Sequence, residues 1–123
     1  MKEIYVKAGP SPIHGVGVFA VTPIAKGRTV KLWSREKLRF VKKPLRGALG
    51  KMALMFGVET ERGFWCPKDF NRAEIGWYIN HSDRPNMTYV NDITLRAMRA
   101  IKAGEELTVN YIELEGPYHD TGV

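Results

Sequence analysis

Short runs of apolar or alternating residues, separated by turn-forming residues, constrain the fold of this 123-residue chain more than any other feature. Runs of about four to eight residues bounded in this way are typical of strands in a mostly β protein. The predicted strands cover residues 4–7, 16–20, 29–33, 63–66, 87–90, 93–100 and 106–110. The pattern therefore predicts a β-rich α+β fold, although it does not determine how the strands are connected.

A tight hairpin turn is predicted where Asn91 and Asp92 separate two of these runs. Both residue types tolerate the positive φ angles that two-residue hairpin turns require. We therefore expect the strands on either side of them to pair with each other.

Residues 45–56 differ from the rest of the chain because their apolar residues recur at helical spacing. The expected inner face of this helix carries Leu45, Leu49, Met52, Ala53 and Phe56. Gly47 and Gly50 lie in the same segment, and glycine weakens a helix by roughly 0.5–1 kcal/mol relative to alanine. We therefore expect one short amphipathic helix.

Length and composition predict a single globular domain over residues 1–123. The chain is 44% apolar and 26% charged, which is an ordinary globular balance, and it has no apolar run long enough to span a membrane. We expect a soluble, intracellular protein, in the cytoplasm or, if the source is a virus or pathogen, in the host nucleus. Cys66 is the only cysteine, and His14, His81 and His119 show no metal-ligand spacing, so no metal site is predicted.

Charge is divided unevenly along the chain. Residues 1–58 contain 12 Lys and Arg against two Glu, a net charge of +10, whereas residues 59–123 have a net charge of −4. A basic half can attract nucleic acid, and an acidic half favours a cationic peptide. Solvated faces without any partner explain the same counts, so charge alone does not decide between these interpretations.

Three segments carry residues suited to chemistry. In residues 14–20, Gly15 and Gly17 allow the backbone to turn sharply and to approach a ligand closely. Residues 77–86 place a run of Asn, His, Ser and Asp beside aromatic residues, and residues 103–111 form a turn and a strand that ends in Tyr111. Each segment alone also has a structural explanation. A Ser-His-Asp hydrolase triad is excluded because sequence neighbours cannot reach its geometry.

Together, these segments resemble the SET-domain family of protein methyltransferases. That family has a Gly-x-Gly turn, an Asn-His-Ser-x-x-Pro-Asn segment and a Gly-Glu-Glu-Leu-Thr-x-x-Tyr segment, matched here by Gly15 and Gly17, residues 80–86 and residues 104–111. The resemblance covers residues 4–111. It implies a fold of small sheets and short helices, with a pseudoknot-like crossing that brings the second and third segments together.

The resemblance also implies an S-adenosylmethionine site. Gly15, Val16 and Gly17 correspond to the residues that contact the methionine end of this cofactor in the family. Asn80 and His81 correspond to those that contact its adenosyl part, partly through backbone groups. Tyr111 corresponds to the catalytic tyrosine beside the transferred methyl group and the incoming amine.

A lysine channel is expected beside Tyr111. Trp77 and Tyr78 are candidate wall residues, and Tyr118 is the candidate for completing the channel from the tail, residues 112–123. Glu113 and Glu115 follow Tyr111 and would form an acidic rim that attracts a histone or another basic protein. The resemblance also leaves open a homodimer in which two chains complete the channel together.

The sequence departs from the family at two positions. Asp83 stands where many members have a cysteine that joins a zinc cluster, and Asn110 replaces a residue that is often acidic. The cysteine-rich flanking modules of many relatives are also absent from this sequence, as in minimal viral or microbial forms.

Two other functions remain open. One is a SET-fold module that binds a peptide or cofactor without catalysis. The other is a small basic nucleic-acid-binding protein, which the pI of about 9.6 permits but no binding motif supports.

Overall fold

The computed structural model describes residues 3–111. In that range lie ten strands, labelled in chain order: β1 (Val6–Pro10), β2 (Val16–Ala20), β3 (Thr29–Lys31), β4 (Leu38–Lys42), β5 (Val58–Glu59), β6 (Gly63–Pro67), β7 (Asn80–His81), β8 (Met87–Tyr89), β9 (Thr94–Ala97) and β10 (Glu106–Val109). The helical elements are α1 (Gly47–Phe56) and the 3₁₀ turns Arg35–Lys37, Phe70–Arg72 and Ile75–Tyr78. No helix among these residues is long and apolar enough to cross a membrane.

The strands form three small sheets, which confirms the predicted β-rich α+β fold. Their strand orders are β1-β2-β10-β7, β3-β9-β8 and β4-β6-β5. In the first sheet, β2 runs antiparallel to both β1 and β10, whereas β10 runs parallel to β7. Strand β10 therefore lies inside this sheet and joins the start of the chain to the Asn-His segment.

The expected convergence of residues 80–86 with residues 104–111 is confirmed. Thr108 lies opposite Asn80 in the parallel β7–β10 pair. Asn86 continues the contact, because its Oδ1 accepts a 2.9 Å hydrogen bond from the N–H of Thr108 and its Nδ2 donates a 2.8 Å bond to the carbonyl of Glu106. These bonds fix the register of β10 against residues 80–86.

Two apolar clusters support this arrangement. The main core joins the four-stranded sheet to the β3-β9-β8 sheet, and its fully buried members include Val18, Leu95 and Leu107. Full burial of one such side chain contributes about 1.5–3 kcal/mol. The smaller cluster packs α1 against β6 through Ala53, Phe64 and Cys66.

The inner face of α1 differs in part from the prediction. Ala53 is buried as expected, but Leu49 is 38% exposed, and Gly50 is the second buried helix residue. A Cβ atom on Gly50 would lie 2.9 Å from the carbonyl carbon of Leu45. Because the helix approaches its neighbours through its smallest residues, the buried face is set by close packing rather than by the apolar spacing alone.

The predicted two-residue turn at Asn91 and Asp92 is wrong. No non-glycine residue in the range 3–111 has a positive φ angle. The β8–β9 connection is instead a four-residue loop that is closed by a 2.8 Å bond from Val90 N–H to the carbonyl of Thr94. Asn91 contributes through its side chain, whose Oδ1 accepts from the N–H of Ile93 at 3.0 Å. The pairing of the flanking strands is confirmed.

Candidate active site

One end of the four-stranded sheet brings the three sequence segments together. Gly15, which has a φ angle of +41°, immediately precedes β2. Strand β10 separates β2 from Asn80 and His81 of β7, and Tyr111 lies two residues beyond the end of β10. The residues predicted to contact the cofactor and the substrate amine therefore share one region of the molecule.

The side-chain amide of Asn80 fastens the glycine turn. Asn80 is buried, and its Nδ2 lies 3.1 Å from Ser11 Oγ, 3.1 Å from the carbonyl of His14, 3.2 Å from the carbonyl of Val16 and 2.9 Å from Glu106 Oε2. An amide nitrogen has two hydrogens to share among these four oxygens. The amide nitrogen of Asn80 thus holds the turn, while the predicted cofactor contact of Asn80, partly through backbone groups, stays a prediction.

The space beside Gly17 is filled by the protein itself. A Cβ atom on Gly17 would overlap Glu106 Oε2 and would lie 2.8 Å from Glu106 Cδ and 3.0 Å from Ser11 Cβ. Ser11 Oγ donates to the Glu106 carboxylate at 2.8 Å, so this carboxylate is held in place. The absence of a side chain at Gly17 leaves room for this carboxylate, while the predicted contact of Gly17 with the cofactor stays a prediction.

Tyr111 is anchored at both ends to the segment that forms β7. Its hydroxyl donates to the carbonyl of Ile79 at 2.5 Å, and its backbone N–H donates to His81 Nδ1 at 3.0 Å. The rings of His81 and Tyr111 lie 5.2 Å apart between centroids. The other ring nitrogen of His81, Nε2, lies 3.0 Å from Asp83 Oδ1. The two bonds that Tyr111 donates, to Ile79 and to His81, determine where its phenol oxygen is placed.

Burial raises the pKa of the Tyr111 hydroxyl above its usual value of 10.0, and the nearby negative charge of Glu106 raises it further. Both effects disfavour the phenolate. Tyr111 therefore keeps its proton at neutral pH, in agreement with its role as a donor to Ile79, and it is unsuited to removing a proton from a substrate.

A cavity of about 570 Å³ adjoins these residues. This volume is within the range of small-molecule and cofactor sites in proteins. Its wall includes the glycine turn and Asn80 of β7, and seven of its described residues are Trp, Phe or Tyr. The lining residues include His14, Gly15, Val16, Trp33, Phe56, Glu59, Trp65, Trp77, Tyr78, Ile79, Asn80, Tyr89, Asp92 and Tyr111.

The structure places Trp77 and Tyr78 on the cavity wall, where the sequence predicted channel residues. Phe56 joins them there, with its ring centroid 6.0 Å from that of Trp77 and 5.8 Å from that of Tyr78. Tyr118, Glu113 and Glu115 lie outside the described residues, so their roles in the channel and its rim stay predictions.

Several lining residues were not identified from the sequence. Trp33, Trp65 and Tyr89 come from three strand regions that carry no family motif, and Phe56 was assigned to the helix core. Ser11 and Glu106 were missed as well, although Glu106 belongs to the Gly-Glu-Glu-Leu-Thr motif. Its place in that motif, at the start of β10, was the one available signal.

The two carboxylates on the cavity wall are paired with cations of the chain itself. Asp92 forms a 2.7 Å ion pair with Arg35, and Glu59 forms a 2.7 Å ion pair with Lys43. Within residues 3–111, no three His, Cys, Asp or Glu side chains are grouped so that they could hold a metal ion.

Comparison with known proteins gives a family and a fold. A family model for the SET domain matches residues 15–112. The SET and MYND domain-containing protein of Dictyostelium discoideum is 46% identical over 46 residues, which make up 35% of this chain and 12% of that protein. The chain therefore spans only a small part of the length of this curated relative.

Solved structures with a similar fold cover nearly the whole chain. A Plasmodium falciparum protein assigned as a histone methyltransferase has a TM-score of 0.57 and 21% identity, over 90% of this chain and 94% of that one. Polycomb Repressive Complex 2 of Chaetomium thermophilum, autoinhibited and bound to S-adenosylmethionine, has a TM-score of 0.61 and 23% identity, over 89% of this chain and 15% of that chain. These similarities show the fold alone. The family model extends over most of the sequence and includes all three motifs, and on that basis the chain belongs to the SET-domain family.

Proposed function

We propose that this protein transfers a methyl group from S-adenosylmethionine to the side-chain amine of a lysine in a protein substrate. The observation that carries the proposal is the position of Tyr111, whose ring lines the same cavity as Gly15 and Val16. Membership of the SET-domain family supports it. So do the fold relatives, one of which is bound to S-adenosylmethionine and another of which is assigned as a histone methyltransferase.

The cavity is suited to the cofactor. Its volume of about 570 Å³ suits a cofactor, and its wall combines polar groups of His14 and Asn80 with the aromatic rings of Trp77 and Tyr78. The glycine turn at Gly15 and Val16 and the backbone of Asn80 and His81 would hold the cofactor. When bound, it supplies an electrophilic methyl group on a sulfonium and departs as the neutral thioether.

The Tyr111 hydroxyl would orient the incoming amine. Its hydrogen is directed at the carbonyl of Ile79, so the lone pairs of the phenol oxygen remain to accept an N–H of the substrate amine. An amine held in this way points its own lone pair away from the tyrosine. Because the raised pKa keeps the phenol neutral, Tyr111 acts by positioning the amine rather than by removing its proton.

The aromatic wall favours lysine as the substrate residue. A free lysine amine has a pKa near 10.4, so its deprotonation at pH 7 costs about 4.6 kcal/mol in water. Surroundings such as Phe56, Trp77 and Tyr78 exclude water and disfavour the ammonium form, which lowers that cost. Arginine, whose pKa exceeds about 12, would stay charged. Glu113 and Glu115 would attract a substrate that carries further basic residues.

Methyl transfer from labelled S-adenosylmethionine to a mixture of histones and other basic proteins tests the proposal. We expect labelled lysine in the wild type and a loss of about two orders of magnitude in single-turnover rate for Tyr111→Phe, roughly 2.7 kcal/mol of barrier. The cofactor affinity of this variant should change much less, because the hydroxyl acts on the amine.

Tyr5→Phe is the matched control, because Tyr5 is exposed and is not among the cavity residues. A Tyr111→Phe variant that is folded and as fast as the control would contradict the role of Tyr111. Cofactor binding without transfer to any protein would instead favour a non-catalytic binding module.

A further inference from the structure

The side chain of His81 has a role beyond any contact of its backbone with the cofactor. Its Nδ1 accepts the N–H of Tyr111, so that nitrogen must carry a lone pair rather than a proton. A neutral imidazole then has its proton on Nε2, where the carboxylate of Asp83 accepts it. The geometry therefore defines one tautomer of His81.

The bond from Tyr111 to His81 replaces a strand contact that the sheet does not provide. Strand β10 ends at Val109, and its last ladder bond runs from Ser82 N–H to the Val109 carbonyl at 2.9 Å. Within residues 3–111, the N–H of Tyr111 donates its hydrogen bond to His81 Nδ1. The imidazole thus extends the contact between β7 and the chain beyond the end of β10.

This contact places Tyr111 relative to the glycine turn. Asn80, the residue before His81, is bonded to that turn through its amide, and Ile79 accepts the tyrosine hydroxyl. Residues 79–81 therefore hold both Tyr111 and the turn that contains Val16. A displacement of the Tyr111 backbone would move the phenol oxygen away from its place on the cavity wall.

We propose that the imidazole of His81, protonated on Nε2, is a positioning residue that holds Tyr111 in its active geometry. Asp83 contributes little to this effect, because its side chain is 94% exposed and water competes for its hydrogen bond with the neutral imidazole. The acceptor at Nδ1 is the group that matters. This inference rests on the proposed function for its consequence in catalysis, but not for the contact itself.

A pair of nearly isosteric variants tests the proposal. In His81→Asn, the amide oxygen is as many bonds from Cβ as Nδ1 is and replaces it as acceptor. In His81→Leu, a methyl group takes that place and accepts nothing. We expect the Tyr111 amide of His81→Leu to exchange with solvent about tenfold faster and its single-turnover rate to fall about tenfold. His81→Asn should retain both within about threefold, and Asp83→Ala should behave like the wild type.

Three results would overturn the proposal. One is equal amide exchange at Tyr111 in the folded Asn and Leu variants, and another is an equal loss of rate in both. The third is a nitrogen NMR spectrum of the wild-type imidazole that shows the proton on Nδ1. If the wild type methylated no protein, the proposed function would fail, while the amide exchange and imidazole spectra would still decide whether His81 holds Tyr111.

Discussion

A single methyl group added at Gly17 should destabilise the protein by displacing a carboxylate. In Gly17→Ala, the new Cβ would overlap Glu106 Oε2 and lie 2.8 Å from Glu106 Cδ, where ordinary contacts are 3.4–4 Å. The carboxylate would have to move out of its site. It would then lose the bonds that it accepts from Ser11 Oγ at 2.8 Å and Asn80 Nδ2 at 2.9 Å.

The expected loss follows from these two bonds. A hydrogen bond to a charged group contributes about 1.5–3 kcal/mol, and the lower end applies because the site is only partly buried. Their combined loss of about 3 kcal/mol is offset by the gain of about 0.4–1 kcal/mol that alanine brings by restricting the unfolded chain. We therefore expect Gly17→Ala to lower the free energy of unfolding by about 2–3 kcal/mol.

Gly9→Ala is a matched control, because Gly9 lies directly opposite Gly17 in the β1–β2 pair. A Cβ atom on Gly9 would make an ordinary contact, 3.6 Å from Phe19 Cδ1. Chemical denaturation should show this variant to be as stable as the wild type or slightly more stable. In a Glu106→Ala background, Gly17→Ala should cost much less, because the displaced carboxylate is gone and only the 3.0 Å approach to Ser11 Cβ remains.

Equal stability of Gly17→Ala and Gly9→Ala would refute the steric reasoning, as would an undiminished cost in the Glu106→Ala background. Calorimetric titration with S-adenosylmethionine adds a second criterion. If Gly17→Ala abolished cofactor binding in a folded protein that also lacked the Glu106 carboxylate, the space beside Gly17 would serve the ligand after all.

Three further predictions concern other parts of the chain. Burial raises the pKa of the Cys66 thiol to about 11, against a smaller opposing effect of Arg39. Because the pKa of this thiol is higher in the folded than in the unfolded protein, the free energy of unfolding should fall by about 2–3 kcal/mol between about pH 9 and pH 11. Denaturation measured across this pH range should show a smaller fall in Cys66→Ala. Methyl transfer should survive EDTA; activity that is lost with the chelator and restored by zinc would contradict the metal-free assignment. Glu113→Lys combined with Glu115→Lys should raise KM for a basic peptide, most strongly at low salt, and an unchanged KM there would dismiss the acidic rim.

The sequence predicted those strands whose own residues form an apolar or alternating run between turn residues. The bounds of β2 are those expected, because Val18 and Ala20 are buried in a run that begins beside Gly15 and Gly17. Strand β4 was not predicted, because the alternation of Leu38, Arg39 and Phe40 is broken by Val41 in a segment rich in cations. Strands β5 and β7 contain two residues each, too few to show a period. Those strands exist because of their neighbours, which a local pattern does not reveal.

Only the motif residues of the candidate site were predictable, and the other lining residues and the connections between them were not. The motifs correctly indicated that residues 80–86 and 104–111 meet. The contact between Ser11 and Glu106 joins residues 95 positions apart, and nothing near Ser11 in the sequence distinguishes it from an ordinary turn residue. For the same reason, the bonds from the Asn80 side-chain nitrogen to Ser11, to the glycine turn and to Glu106 were not predicted. Long-range contacts of this kind are set by the fold.

The interior position of β10 also has a consequence for how the protein is made. This strand is the last of the ten to leave the ribosome, yet it lies between β2 and β7, which are synthesised earlier. Until residues 106–109 emerge, β2 can form a hairpin with β1, but β7 has no strand to pair with. Contacts between such distant residues also form slowly. The four-stranded sheet can therefore be completed only after residues 106–109 have been synthesised, so β7 joins the sheet after the β1–β2 hairpin.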